Sequence, residues 1–338
     1  MNYFDNIIGN RALTQRLSQD IAQRSLSHAY IIEGKNGSGR HTVALSAAAA
    51  IACRDTSNAP CGKCICCRKI FEDRSPDVIH IGLEEDKKTI GVEAVRQIKE
   101  GMSTAPNDLD VKVYIIDDAD TMTVQAQNAF LLSLEEPPSY ILFFLICENS
   151  SSLLETVRSR APTLRTERLT SAEVEDYILE HDKRAKELKS EQPDVLKTIV
   201  FASDGCIGTA LELLDAKTRK RLIEYKNSAE NLISMLSSKD RTGAFELISL
   251  FGNKRADVSE RLGHIRFALR DLILLKKSDE VPLCFFEDRD HATELSTHFT
   301  APALLRLYEA IETALDDLER NANVRLTLMN MMQSAGLI

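Results

Sequence analysis

Two stretches of this 338-residue chain carry residues whose types and spacing can do chemistry. Cys53, Cys61, Cys64 and Cys67 follow the spacing C-x7-C-x2-C-x2-C, which can bring four thiolates around one tetrahedral Zn²⁺. Cys66 is a spare that competes with Cys67, although adjacent residues rarely point the same way. Upstream, Gly34-Lys35-Asn36-Gly37-Ser38-Gly39-Arg40-His41-Thr42 has the glycine frame of a phosphate-binding loop, in which backbone N–H groups at a helix N-terminus cradle an anion. In a hydrolysing loop the residue after the last glycine is Lys, which reaches the β and γ phosphates, and the next is Ser or Thr, which binds Mg²⁺. Here those positions hold Arg40 and His41. Arg demands a different geometry from Lys, and Thr42, one residue further along a helix, is rotated by roughly 100°. Nucleotide binding is therefore expected to be weak or absent.

A second acidic element belongs with the loop. Val113-Tyr114-Ile115-Ile116-Asp117-Asp118-Ala119-Asp120 is an apolar strand ending in carboxylates. In P-loop ATPases the first such acid serves Mg²⁺, and in many a following Glu orients the attacking water. Asp117 fits the first role. Asp118, one methylene shorter than Glu, fits the second poorly.

The elements that must hold these residues alternate. Strands are expected at Ala29 to Glu33, Val78 to Ile81, Lys112 to Ile116, Ile141 to Ile146 and near Thr163 to Thr166. Amphipathic helices are expected at Arg11 to Arg24, Thr42 to Ala52, Val92 to Ser103 and Val124 to Glu135. Such alternation predicts an α/β fold with a parallel sheet covered on both faces. After Arg168 only helical periodicity remains, beginning with Ser171 as an N-cap. Ser203-Asp204-Gly205 breaks the run before a helix at Thr209 to Leu214. Apolar rows in Ile265 to Leu275 and Ala303 to Leu318 predict a helical bundle.

Composition narrows the function classes. With 43% hydrophobic residues the chain can bury more than one core. A net charge of -9 disfavours indiscriminate attraction to nucleic acid or anionic lipid. Lys63, Arg68, Lys69 and Arg74 lie near the cysteines, but Asp55, Glu72 and Asp73 are interleaved and no aromatic stacking platform accompanies them. The opening MNYFDNIIGN lacks a secretory pattern, and the longest apolar run, Tyr140 to Cys147, is too short to span a bilayer. A soluble, cytoplasmic protein is expected, without a membrane partner.

The segment Asn128-Ala129-Phe130-Leu131-Leu132-Ser133-Leu134-Glu135-Glu136-Pro137-Pro138, followed by an apolar strand and Ser159-Arg160, closely resembles bacterial sliding-clamp loaders. These are AAA+ proteins of the DNA polymerase III holoenzyme. Further matches are Ile8-Gly9-Asn10, His28-Ala29-Tyr30, Pro76-Asp77, the cysteine module and Asn321-Ala322-Asn323, so the resemblance covers nearly the whole chain. It implies an AAA+ P-loop domain over residues 1–168 with a zinc module inserted at about 53–67. A small helical lid over 169–216 and an all-helical collar over 217–338 would follow.

Within that family the tau and gamma motor subunits keep an intact loop, whereas a stator subunit often does not. This chain resembles the stator. The resemblance implies that Arg160 acts in trans on the nucleotide of a neighbouring subunit, with Ala161 where the motif usually has Cys. It also aligns Gly208, in Gly205-Cys206-Ile207-Gly208, with a nucleotide-sensing Arg of the motors. The implied partners are the tau or gamma motor subunits, the delta subunit, the sliding clamp and, through the assembly, primed DNA. Two other readings follow from the same residues. One is a motor in which Arg40 and Asp118 still support hydrolysis, and the other a zinc-containing DNA-binding protein.

Overall fold

The computed structural model describes all residues except 1–3, 5–6, 56–57, 85–86, 239, 279–282, 284, 287, 321 and 337–338. Asn321, part of one motif above, lies outside the described residues, as does the eighth cysteine, Cys284. The chain divides into two compact units, Met1–Ile178 with Ser203–Ala210, and Leu179–Ala202 with Leu211–Ile338.

In the first unit the order is α1 (Arg11–Ala22), β1 (Ala29–Glu33), α2 (Arg40–Ala52), α3 (Ile65–Phe71), β2 (Val78–Ile81), α4 (Val92–Met102) and β3 (Lys112–Ile116). There follow α5 (Val124–Glu135), β4 (Ile141–Cys147), α6 (Glu155–Arg158), β5 (Thr163–Arg165), most of α7 (Ser171–His181) and the start of α10 (Ile207–Leu213). The strands form one parallel sheet in the order β2-β3-β4-β1-β5. Strand β4 runs one residue further than expected, to Cys147, and β5 stops at Arg165, although the Thr166 N–H still donates to Glu33 O at 2.8 Å.

Because side chains alternate across a strand, each strand feeds two cores. Tyr30, Ile32, Val113, Ile115, Leu142 and Phe144 face α1, α2 and the cysteine module. Ala29, Ile31, Tyr114, Ile116, Phe143 and Leu145 face α4 and α5. Every residue of β3 and β4 is buried, as two-sided cover requires.

Polar residues pin the loops. The buried Asp77 carboxylate accepts the N–H groups of Asn107, Asp108 and Leu109 at 2.7, 2.7 and 2.9 Å, fixing the turn before β3. Asn10 Oδ1 accepts the Glu167 N–H at 2.7 Å, while Glu167 accepts from Arg11 N and Ala12 N at 3.2 and 3.4 Å. The carboxylate thus satisfies free donors at the start of α1 and complements its dipole. The start of α7 corrects one expectation. Thr170, not Ser171, is the cap: its Oγ1 accepts from Glu173 N at 3.3 Å and Glu173 reaches back to Thr170 N at 2.8 Å. Glu three residues after a hydroxyl makes this reciprocal box, which Ser171 cannot form.

The second unit is helical. It holds α8 (Lys183–Glu191), α9 (Pro193–Ala202), the end of α10 (Ile207–Leu213), α11 (Ala216–Ser237), α12 (Arg241–Ser249), α13 (Arg255–Leu275), α14 (Arg289–Thr297), α15 (Ala301–Glu319) and α16 (Val324–Ser334). The two apolar rows fall in α13 and α15, which pack through Leu262, Ile265, Leu269, Leu304 and Ile311. Buried Asp271 on α13 accepts the N–H groups of Phe285 and Phe286 at 2.6 and 3.3 Å.

Candidate functional site

The glycine loop joins β1 to α2. Gly37 and Gly39 adopt φ of +75° and +88°, the left-handed region that glycine enters without steric cost. Helix α2 begins at Arg40, so Arg40, His41 and Thr42 form its first turn. Arg40 is buried, and its Nη1 makes no hydrogen bond. His41 and Thr42 are exposed. The tip of the loop is bonded to the start of α10, which carries Gly208: the Gly208 N–H donates to Gly37 O at 2.9 Å. A Cβ built on Gly208 would lie 2.7 Å from Gly37 Cα, so no side chain fits there without displacing the loop. Lys35 Nζ pairs with Asp204 at 2.6 Å, and Arg168 holds the other oxygen of that carboxylate at 2.9 Å.

Asp117 and Asp118 follow β3. Asp118 has φ of +48°, where Asp is among the few side chains tolerated. Its carboxyl is pushed up, first by burial and then by the neighbouring charge of Asp120, with Arg40 opposing. Asp117 lies with two imidazoles. His80 Nδ1 is 3.7 Å from Asp117 Oδ2 and 3.4 Å from His41 Nε2. The Asp117 carboxylate beside it raises His80 above the ordinary histidine range, against the opposing effect of burial.

His80 is the residue that sequence reasoning missed. Strand register gives the signal: His80 pairs with Ile115, so alternation puts His80 and Asp117 on one face of the sheet. Val78 and Ile115 face the α2 core from that side.

These residues do not fit a Mg²⁺-nucleotide held in the ordinary way. The Lys position is a buried Arg. The hydroxyl position is an imidazole engaged with His80.

Arg160 follows α6 at the surface. Its Nη2 pairs with Glu135 Oε1 at 2.8 Å and its Nη1 donates to Thr156 O at 2.9 Å. The guanidinium is thus held in one direction while remaining accessible, its side chain 35% exposed.

The four predicted cysteines come together, with one Sγ from each within 4.8 Å of the others. Backbone N–H groups of Cys61, Cys64 and Cys67 donate to the sulfurs of Cys53, Cys61 and Cys64 at 3.3 to 3.4 Å. Cys67 completes the group, whereas Cys66 on α3 is buried outside it. Burial pushes the Cys53 and Cys67 thiols up. At Cys64 burial is outweighed by hydrogen bonds, chiefly from the Cys67 N–H, which hold the thiol at about 6. A metal cation would stabilise four thiolates that otherwise repel one another. Donor set and geometry fit such an ion. Nearby Lys69 is paired with Asp108 at 2.6 Å and Arg74 with Glu72 at 3.0 Å, so these cations already have acidic partners.

A parallel sheet in this order, with a glycine loop after β1 and acids after β3, is the α/β AAA+ fold, here accompanied by a helical unit. Residues 9–170 match the family described as DNA polymerase III, delta subunit. Over that stretch the chain resembles the delta-subunit-like clamp-loader family of DNA polymerase III. The tau subunit of DNA polymerase III from Bacillus subtilis is 26% identical over 342 residues, covering 96% of this chain and 59% of the relative. The delta' subunit from the same organism is 35% identical over 166 residues, covering 49% of this chain and 50% of the relative. The chain therefore spans about half to three-fifths of the length of these curated relatives. Among solved structures, a gamma-subunit-related protein of Thermotoga maritima is 21% identical with a TM-score of 0.43, covering 94% of this chain and 98% of that one. Among the described residues no helix is long and apolar enough to cross a membrane.

Proposed function

We propose that this protein is the delta' subunit of a bacterial clamp loader, a stator that hydrolyses little or no ATP and acts in the cytoplasm. The observation that carries the reading is the pair Arg40 and His41, which occupy the positions of the phosphate-binding Lys and the Mg²⁺-binding hydroxyl. The Gly37–Gly208 contact supports it, because a sensor arginine at 208 is incompatible with this loop. The likeness to delta' from Bacillus subtilis points the same way. In this reading residues 1–168 are the AAA+ domain, 169–216 a lid and 217–338 a collar that pairs with partner collars. The cysteine group holds a structural Zn²⁺. Partners are the tau or gamma motors, delta, the sliding clamp and, through the assembly, primed DNA.

Arg160 is the working residue, reaching a γ phosphate held by a neighbouring motor. Its bond to partly exposed Glu135 contributes no more than about 1 kcal/mol, so a stronger anion can displace it. The test compares nucleotide turnover by the purified chain, alone and reconstituted with motor and delta subunits, with and without Arg160→Ala. No turnover alone, and a drop in the mixture with assembly intact, is expected, the one site served by Arg160 losing at least about 10³-fold. Robust turnover alone, abolished by Arg40→Ala, would replace this reading with a motor. Unchanged turnover in the Arg160→Ala mixture would remove the in-trans role.

A further inference from the structure

We infer that His41, His80 and Asp117 form a second metal site, built for a divalent transition ion such as Zn²⁺, Co²⁺ or Ni²⁺. The inference does not rest on the stator reading or on the cysteine group. One ligand atom from each of the three residues lies within 4.8 Å of the others. Two of the separations are more telling. For metal–nitrogen bonds of about 2.0–2.1 Å, two ligands of a tetrahedral ion sit about 3.3–3.5 Å apart. His41 Nε2 and His80 Nδ1 are 3.4 Å apart, and His80 Nδ1 and Asp117 Oδ2 are 3.7 Å apart.

The two ring nitrogens face each other, with ring centroids 5.1 Å apart and planes inclined by 34°. Two imidazole lone pairs that meet in this way repel unless a proton or a cation lies between them. The Asp117 carboxylate stabilises either positive charge, but only a metal ion can use it as a third ligand. The remaining nitrogen of His80, Nε2, is buried without a hydrogen bond and lies 3.4 Å from Asp73 Oδ1.

Ligand chemistry selects the ion. Mg²⁺ and Ca²⁺ prefer all-oxygen surroundings, whereas imidazole suits Zn²⁺, Co²⁺ and Ni²⁺. In hydrolysing P-loop proteins this corner of the fold supplies a hydroxyl and an aspartate to Mg²⁺. Here a histidine replaces the hydroxyl, a second comes from the neighbouring strand, and the aspartate stays. The same corner is thereby converted from a hard-ion site to one for a softer ion. Three protein ligands leave a fourth position for water or an anion.

The test uses the full chain, stripped of metal, loaded with Co²⁺, dialysed and measured by elemental analysis and visible absorption. Thiolate-bound Co²⁺ gives an intense sulfur-to-metal charge-transfer band, and the His-His-Asp site gives none. We expect one equivalent of Co²⁺ that contributes no such band and is lost in both His41→Ala and His80→Ala, with any thiolate band unchanged. His41 is exposed, so its replacement leaves the core intact and guards against a folding artefact in the other variant. Metal accounted for by the thiolate band alone, or a band-free equivalent that survives both substitutions, overturns the site in favour of a proton-bridged histidine pair.

Discussion

Gly208→Ala tests whether the glycine loop and the start of α10, which carries residue 208, are as tightly joined as the structure shows. The added Cβ would sit 2.7 Å from Gly37 Cα and 3.1 Å from Gly37 O, whereas carbon atoms rest about 3.5–4.0 Å apart. Backbone flanks the contact on both sides, so no flexible side chain can yield, and relief needs a separation of about 1 Å. Such a shift breaks the Gly208 N–H to Gly37 O bond, now 2.9 Å, at about 0.5–1.5 kcal/mol. Overpacking adds about 1–3 kcal/mol, so a loss of about 2–4 kcal/mol is expected. The assay is urea denaturation, in which the transition of the α/β unit should fall by roughly 1–2 M. Amide exchange should quicken at residues 36–39 and 206–210. Gly39→Ala is the control: φ is +88° but nothing lies within 4 Å, so only the left-handed cost of about 1–2 kcal/mol applies. If Gly208→Ala stayed within about 0.5 kcal/mol of the parent, or cost less than Gly39→Ala, the close approach would be refuted.

Three further outcomes are expected. Cys67→Ser should remove the metal equivalent that carries the thiolate band and lower the unfolding midpoint of the first unit, whereas Cys66→Ser should leave metal content unchanged; the reverse pattern in elemental analysis would exchange their roles. Asp77→Asn keeps the volume but cannot accept all three N–H bonds with an anionic group, and should cost about 2–4 kcal/mol in urea unfolding. His264, pushed down to about 4 by burial and secondarily by the charge of Lys226, is neutral in the fold. Its contribution is complete above the ordinary value of 6.5 and is lost as pH falls from there towards about 4. The second unit should lose at most about 3 kcal/mol over that range, and His264→Gln should flatten the dependence measured by denaturation at several pH values.

Much of the α/β unit was legible because two-sided burial writes itself into composition. Ile141 to Cys147 is apolar at every position, which only a covered strand tolerates. The cysteine group was legible because four like residues at tight spacing converge on few alternatives. His80 was not legible by itself, since a single histidine in a four-residue strand is indistinguishable from a partly exposed strand residue. Its role depends on β2 lying beside β3 and on which face each residue takes, information held in the pairing and not in either segment. The cap at Thr170 was misplaced by one residue for a related reason. Thr170 and Ser171 are both capping types, and only the reach of Glu173 separates them. The reason for glycine at 208 likewise lies at position 37, over 170 residues earlier.

The sheet order has a consequence for how this protein is made. Strand β1 pairs with β4 and β5, and β4 begins 108 residues after β1 ends. A ribosome adds about 5–20 residues per second, so the apolar segment Ala29 to Glu33 waits roughly 5–20 s before its hydrogen-bonding edge meets a partner. During that interval β2 and β3, which pair with each other, can form the seed of the sheet. The glycine loop, although among the earliest parts of the chain to be synthesised, takes its final shape among the last. Nascent chains halted before residue 141 should therefore be clients for chaperones that hold extended apolar segments, and those halted well beyond residue 165 should escape them.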